Sequence, residues 1–181
     1  IVETDSEDVV SESDEANNTR YVSISLTPLP VDLQVTSVDA PDTALSGQNI
    51  QLMWTVGNFG VGATPTGFWR DAVYLSPDQY LDPGFDYYLG YFDHSGILNP
   101  ASEPGDSYTR TDWVRVPNGL SGPYYVFVCT DINNHVFEEG GSGNAEENNC
   151  RYDGIATIVS IPPPADLVVT DIVVPTSGTL G

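Results

Sequence analysis

Apolar and polar residues alternate along much of the chain with the period of two that is typical of β-strands. In the clearest example, Leu52, Trp54 and Val56 share one side of a strand, while Gln51 and Thr55 lie on the other. Helical periodicity is nearly absent, and clusters of Gly, Pro, Asn and Asp separate the runs. The pattern predicts an all-β protein with two packed antiparallel sheets. About seven strands are predicted, at 31–38, 49–56, 70–76, 88–92, 107–116, 124–130 and 150–161.

Part of the sequence occurs twice, at a spacing of about 130 residues. The run Glu-Ala-Asn-Asn-Thr-Arg at 15–20 returns as Glu-Glu-Asn-Asn-Cys-Arg at 146–151. Similarly, Asp-Leu-Gln-Val-Thr at 32–36 returns as Asp-Leu-Val-Val-Thr at 166–170. A period of this length is that of a domain rather than of a solenoid unit. The sequence therefore predicts a tandem repeat of like modules.

The repeat divides the chain into three parts. We expect residues 1–27 to be the C-terminal strands of a preceding module and residues 31–161 to be one complete β-sandwich. Residues 165–181 are then the N-terminal strand of a following module. Prolines mark both linkers and favour semi-rigid, end-to-end connections. Incomplete modules expose unpaired strands, so we expect pairing with adjacent like modules or with neighbouring chains by strand addition.

The two cysteines of the chain are Cys129 and Cys150. In the other copy of the repeat, their counterparts are Glu3 and Thr19. One copy thus has both cysteines and the other has neither, which is what a bonded pair would show. The sequence predicts a Cys129–Cys150 disulfide between the last two strands, with two independent buried thiols as the alternative. A disulfide indicates an oxidising compartment, and hence an extracellular or cell-surface location.

The formal net charge is −21, from 26 acidic residues against five arginines. A charge of this sign and size counts strongly against nucleic acid or an anionic membrane as a partner, since both need a basic surface. No run approaches the roughly 18 apolar residues of a membrane helix, so membrane insertion is not expected. The charge fits the attraction of cations, and it equally fits a solvated acidic face.

Two loops are rich enough in oxygen-bearing side chains to suggest calcium, which takes six to eight oxygen ligands. The alternative is that Asp and Asn form turns by binding nearby backbone groups. The spacing in the second loop does not match an EF-hand. The candidate ligands are Asp131, Asn133, Asn134, Glu138 and Glu146 in the first loop and Asp78, Asp82 and Asp86 in the second.

Catalysis has little support in the sequence. His94 and His135 lack a zinc-spaced partner, and no nucleophile elbow, His-Glu-x-x-His motif or phosphate loop occurs. We therefore expect no enzymatic activity. A concentration of aromatic residues between 80 and 92 leaves glycan binding open, although core packing is the favoured interpretation for most of these rings.

Several short motifs occur along the chain in a fixed order. They are Asp32-Leu33-Gln34-Val35-Thr36, Trp54-Thr55-Val56, Asp71-Ala72-Val73-Tyr74-Leu75-Ser76, Tyr108-Thr109, Gly122-Pro123-Tyr124-Tyr125, Asn133-Asn134-His135-Val136-Phe137-Glu138 and Glu146-Glu147-Asn148-Asn149. Together they resemble the CARDB family, the cell-adhesion-related domain found in bacteria. The resemblance implies an immunoglobulin-like sandwich that occurs in tandem within large secreted or surface proteins. It implies an adhesive or architectural role without catalysis, and no particular ligand. The two cysteines are not part of the family pattern.

The leading hypothesis is a non-catalytic structural or adhesive module of a large extracellular bacterial repeat protein, such as a stalk, an adhesin shaft or a filament. Calcium is a candidate stabiliser of such a module. The alternative hypothesis is a carbohydrate-binding accessory module of a secreted multi-domain enzyme.

Overall fold

The computed structural model describes residues 1–25, 29–138 and 147–178. The described residues contain β-strands and a short 3₁₀ turn at Glu15–Asn17, and none of their helices is long and apolar enough to cross a membrane. The strands in chain order are β1 (Val2–Glu3), β2 (Thr19–Arg20), β3 (Leu33–Asp39), β4 (Thr43–Leu45), β5 (Asn49–Asn58), β6 (Phe68–Ser76), β7 (Tyr87–Ser95), β8 (Ser107–Arg115), β9 (Gly122–Cys129), β10 (Cys150–Tyr152) and β11 (Thr157–Ser160).

Strands β3 to β11 form a sandwich of two sheets. One sheet has the order β3-β5-β8, and the other has the order β4-β11-β9-β6-β7, with β10 also paired to β9. The pairings within both sheets are antiparallel, except that β4 and β11 run parallel. The chain crosses from the first sheet to the second between β3 and β4. This arrangement is the predicted all-β, immunoglobulin-like sandwich.

The core lies between the sheets and follows the alternation seen in the sequence. In β5, Leu52, Trp54 and Val56 are buried, whereas Gln51 faces solvent. Burial of side chains of this size contributes roughly 1.5–3 kcal/mol each. The residues packed against them from the opposite sheet include Val73, Leu75, Val126 and Val128.

Two details of the strands differ from the sequence prediction. The short strand β4 was not predicted, because three residues are too few to show an alternating pattern. The predicted last strand at 150–161 is two strands, β10 and β11. Tyr152 pairs with Phe127 and Thr157 pairs with Tyr124, so two extra residues interrupt the ladder between them.

The chain enters and leaves the sandwich at opposite ends. At the N-terminal end, Gly62 N–H donates to Pro30 O over 2.8 Å, beside the last residue of β5. At the C-terminal end, Ser46 N–H donates to Ser160 O over 2.8 Å, beside the first residue of β5. The ten residues of β5 span about 33 Å between the two ends.

Residues outside the sandwich have less structure. Strands β1 and β2 pair with each other as an antiparallel ladder. Residues 161–178 contain no strand, and apolar side chains of this segment, such as Leu167 and Val173, are about 90% exposed.

Candidate functional site

A disulfide joins β9 to β10 at the edge of the larger sheet. Cys129 and Cys150 are directly opposite each other in the ladder, and their sulfurs are 2.03 Å apart. The bond that the repeat predicts is therefore present. It closes the base of the loop that carries the first set of candidate calcium ligands.

Asp131 organises the first turn of this β9–β10 loop. The residue is almost fully buried and has a positive φ of 44°, which Asp tolerates better than most residues. Its Oδ1 accepts from His135 N–H over 2.9 Å, and its Oδ2 accepts from Val136 N–H over 2.7 Å. Asn134 N–H donates to Asp131 O over 2.9 Å. The carboxylate thus closes a tight turn and seats Val136 in the core.

Glu138 connects the same loop to the first strand of the sandwich. Its Oε2 accepts from the buried Leu33 N–H over 2.9 Å, and its Oε1 accepts from Asn149 Nδ2 over 3.2 Å. Next to it, Asn148 Nδ2 donates to Asp32 Oδ1 over 3.0 Å. A buried backbone N–H at the start of an edge strand needs an acceptor, and Glu138 supplies it. We call Asp32, Leu33, Glu138, Asn148 and Asn149 the latch.

The second candidate loop, between β6 and β7, is also held by its own carboxylates. Asp78 Oδ1 accepts from Tyr80 N–H over 2.8 Å, and Asp82 Oδ1 accepts from Gly84 N–H over 3.0 Å. Asp86 Oδ2 accepts from Asp82 N–H over 2.7 Å. These are the local turns that the sequence left open as the alternative to metal binding.

No group of three or more His, Cys, Asp or Glu side chains is placed to hold a metal ion in residues 1–25, 29–138 and 147–178. Asn133 is exposed on the outside of its turn, and Asn134 has a positive φ of 48°. Glu146 lies outside the described residues. Calcium binding by these two loops stays a prediction.

Residues 1–20 reproduce the Asp131 turn of the β9–β10 loop and the ladder that closes it. Asp5 has a φ of 48°, and its carboxylate accepts from Val9 N–H and Val10 N–H over 2.9 and 2.8 Å. Thr4 N–H donates to Asn18 O over 3.1 Å, as Thr130 N–H donates to Asn149 O over 3.0 Å. The pair Glu3–Thr19 in the β1–β2 ladder takes the place of Cys129–Cys150.

A buried carboxylate lies between the sheets. Asp71 Oδ2 accepts from Trp54 Nε1 over 2.8 Å and from the Tyr108 hydroxyl over 2.7 Å. Trp69 Nε1 donates to the same hydroxyl over 3.2 Å. The ring of His94 is stacked between Trp69 and Tyr108, with centroids 3.9 and 4.0 Å away. His94 is therefore a residue of the core.

Burial dominates the titration of this cluster. It raises the pKa of Asp71, and the hydrogen bonds from Trp54 and Tyr108 only partly oppose that rise. Burial also raises the pKa of Tyr108 and lowers the pKa of His94. Asp71 was not predicted from the sequence as a core residue. The available signal was its place beside the apolar run 72–75, at an inward position of β6.

Aromatic rings form a row across the outer face of the larger sheet. Tyr88, Tyr74, Phe127 and Tyr152 stand side by side on β7, β6, β9 and β10. The Tyr88 and Tyr74 rings are 5.5 Å apart, and the Phe127 and Tyr152 rings are 5.2 Å apart. We call these four residues the aromatic row. Phe127 is only 5% exposed, whereas Tyr88 is half exposed.

Core packing, the favoured interpretation for rings between 80 and 92, is correct for Phe92, whose ring lies 5.2 Å from that of Trp54. It is wrong for most of the others: Tyr80 and Phe85 are 83% and 88% exposed in the β6–β7 loop, and Tyr87, Tyr88 and Tyr91 are exposed on β7.

No family model matches the chain, and no curated protein matches it. Solved structures of similar fold do match. CARDB domains are among them. One, from Pyrococcus furiosus in complex with di-metal ions, has a TM-score of 0.48 and 18% identity, and the match covers 75% of this chain and 100% of that one. The sequence motifs resemble the same family.

Two further matches are weaker. A sporulation control protein from Bacillus subtilis has a TM-score of 0.44 at 14% identity, over 73% of this chain and 51% of that one. β-Glucosidase 3B from Thermotoga neapolitana, in complex with α-D-glucose, has a TM-score of 0.38 at 19% identity, over 67% of this chain and 16% of that one. At these identities and TM-scores, the similarity says nothing about function.

In both loops, side-chain carboxylates accept hydrogen bonds from backbone N–H groups. The carboxylates of Asp131 and Glu138 hold the β9–β10 loop to itself and to β3, and those of Asp78, Asp82 and Asp86 shape the β6–β7 loop. These bonds connect the start of β3, the first strand of the sandwich, to the β9–β10 loop.

Proposed function

We propose that the chain is a non-catalytic structural and adhesive part of an extracellular protein that is built from like modules in tandem, such as a stalk, an adhesin shaft or a filament. The observation that carries the proposal is the recurrence of the β9–β10 loop in residues 1–20. Two loops with the same sequence pattern and the same hydrogen bonds around their first aspartate support a repeating unit of about 130 residues.

The positions at which the chain enters and leaves the sandwich support an end-to-end array. Pro30 and Ser160 lie at opposite ends of β5, so each module can follow the last along one axis. The run Pro162-Pro163-Pro164 after β11 favours an extended, semi-rigid connection. Such an array keeps its modules apart and in line.

The exposed strand-forming segments support pairing with adjacent like modules or with neighbouring chains. Within the sandwich, β3 pairs with β5 and is held by the latch. The run 166–170 repeats the sequence of β3, and its side chains are exposed. Strand addition would bury this apolar segment. The partner in this proposal is a sandwich whose β5 lacks a β3 of its own, because both edges of β5 are already paired in this one.

The disulfide supports an extracellular location, because such bonds persist in oxidising compartments. Immunolabelling tests this part of the proposal. Antibodies raised against residues 31–161 are expected to label intact source cells or the surrounding matrix. Labelling that requires permeabilised cells would contradict the location and, with it, the adhesive role.

The aromatic row favours glycan binding as a second candidate function. Tyr88 and Tyr91 are half exposed on the edge strand β7, and Arg70 lies 4.3 Å from the centre of the Tyr91 ring. Planar rings beside hydrogen-bonding groups suit sugars. Glycan-array binding that Tyr88→Ala abolishes and Tyr21→Ala leaves intact would support it. Tyr21 is a suitable control because it is exposed and lies outside the sandwich.

A further inference from the structure

We infer that the sandwich resists tension along its long axis through a clamp made of the parallel strands β4 and β11. This inference rests on the proposed function, because a tandem array is what would transmit tension from one module to the next. The clamp itself is a property of the sandwich.

The direction of the chain at both ends decides how the clamp is loaded. Tension on the N-terminal side acts on Pro30 and Val31, and pulls β3 and then β4 toward the N-terminal end of the sandwich. Tension on the C-terminal side acts on Ser160 and pulls β11 toward the other end. Strands β4 and β11 lie side by side in parallel, with Val159 opposite Ala44. Axial tension therefore slides the two strands past each other.

Sliding loads several hydrogen bonds at the same time. Ile158 N–H donates to Asp42 O, and Ser46 N–H donates to Ser160 O, each over 2.8 Å. Between the same two chain segments, the buried Thr157 hydroxyl donates to Pro41 O over 2.8 Å. Bonds that share a load must fail together, whereas bonds at an opening edge fail one after another. A strand pair loaded by sliding therefore withstands more force than the same pair opened from its end.

The latch protects the strand that lies ahead of the clamp. Leu33 N–H, at the first residue of β3, is held by Glu138, and Asp32 is held by Asn148. Both partners belong to the β9–β10 loop, whose base is closed by the disulfide. Tension on Val31 is thus passed to the larger sheet before β3 can peel from β5.

Single-molecule pulling on the full chain tests the clamp by changing the direction of force. In one arrangement, handles at residues 1 and 181 load the sandwich along its axis. In the other, handles in the turn 117–121 and at Ile161 open β11 from β9, starting at the pair Val159–Gly122. Both arrangements load β11 in the same protein. At one loading rate, the axial arrangement is expected to need at least twice the unfolding force. Equal forces in the two directions would overturn the inference.

Variants locate the clamp. Ile158→Pro removes the N–H that binds Asp42, and the milder Thr157→Val removes only the hydroxyl bond to Pro41. At constant axial force, we expect Ile158→Pro to unfold at least ten times faster and Thr157→Val several times faster. Val114→Ala is the control, because Val114 is buried in β8, which belongs to the other sheet and does not pair with β4 or β11. It is expected to change the axial rate by less than threefold.

The outcomes separate the clamp from the proposed function. The two variants are compared after correction for their difference in thermodynamic stability. If Val114→Ala then accelerates axial unfolding as much as Thr157→Val does, the clamp is contradicted and the proposal of a tandem array is unaffected. If the protein is not found outside the source cells but the unfolding force still depends on the pulling direction, the proposed extracellular array is contradicted and the clamp is supported. If Ile158→Pro does not fold, the unfolding rate of Thr157→Val and the comparison of the two pulling directions still test the clamp.

Discussion

Asp71 places an ionisable carboxyl group in the core of the sandwich, where burial raises its pKa. The folded protein then holds the proton more tightly than the unfolded chain at any pH between the ordinary and the raised pKa. In that interval the unfolded state binds fewer protons, so the free energy of unfolding falls as pH rises. The contribution of Asp71 is most favourable below its ordinary pKa and is lost as pH rises through the raised value.

Asp71→Asn is expected to remove this dependence. The amide oxygen can still accept from Trp54 and Tyr108, but the side chain carries no charge at any pH. From about pH 4 to pH 7, the stability of the variant relative to the wild type should therefore increase. Urea denaturation at both pH values measures it. The control is Asp39→Asn, which removes one exposed charge from β3. The same pH dependence in both variants would contradict the role of burial.

Glu138→Gln tests the latch at a single residue. A glutamine offers one oxygen acceptor where the carboxylate offers two, so Leu33 N–H or the Asn149 amide loses its partner. Leaving a buried donor unsatisfied costs about 1–3 kcal/mol. Chemical denaturation should show a loss in this range. Glu103→Gln, at an exposed position, should show almost none. Equal stabilities of the two variants would mean that the latch does not hold β3.

Element by element, the sequence was informative where a pattern was long or repeated. The alternation from Ile50 to Val56 predicted which residues of β5 are buried, and the repeat predicted the Cys129–Cys150 pair. Oxygen-rich loops gave a weaker signal, because composition does not distinguish a metal ligand from an acceptor for backbone N–H groups. For Asp131 that distinction depends on its positive φ and on two amides four and five residues later.

The break between β10 and β11 was predictable only in part. Asp153-Gly154 is a turn signal within 150–161, but the apolar residues on both sides of it favoured one continuous strand. The two extra residues become visible only against the partner strand β9, which keeps its own register. Pairing across a sheet is a long-range property, and a single segment does not contain it.

The equivalence of the β1–β2 and β9–β10 ladders predicts an engineered disulfide. Glu3 and Thr19 are directly opposite each other, as Cys129 and Cys150 are. The double variant Glu3→Cys with Thr19→Cys should therefore form a second bond during oxidative folding. Mass spectrometry after alkylation of the unreduced protein is expected to find no labelled thiol. The control, Val2→Cys with Thr19→Cys, places the cysteines diagonally and should leave two labelled thiols. Labelling of both thiols in the first variant would contradict the equivalence.

The whole molecule carries a net charge of −21 on 181 residues. Self-repulsion at this charge keeps a protein soluble and destabilises its compact state. Screening by salt therefore stabilises the sandwich without any specific site. A test for specific calcium binding has to separate the two effects.

Calcium at millimolar concentration is expected to raise the melting temperature more than magnesium does at the same ionic strength. Both cations screen the charge equally, but the larger calcium ion accepts six to eight oxygen ligands in irregular loops, whereas magnesium demands an octahedral site. A calcium concentration a hundred times the Kd would add about 2.7 kcal/mol to the free energy of unfolding.

The measurement is thermal unfolding followed by circular dichroism, with chelator as the reference. Asp78→Asn and Asn133→Ala, one variant in each candidate loop, then show which loop is responsible. Identical melting curves in calcium and magnesium would show that both ions act by screening alone and would contradict specific calcium binding by this module.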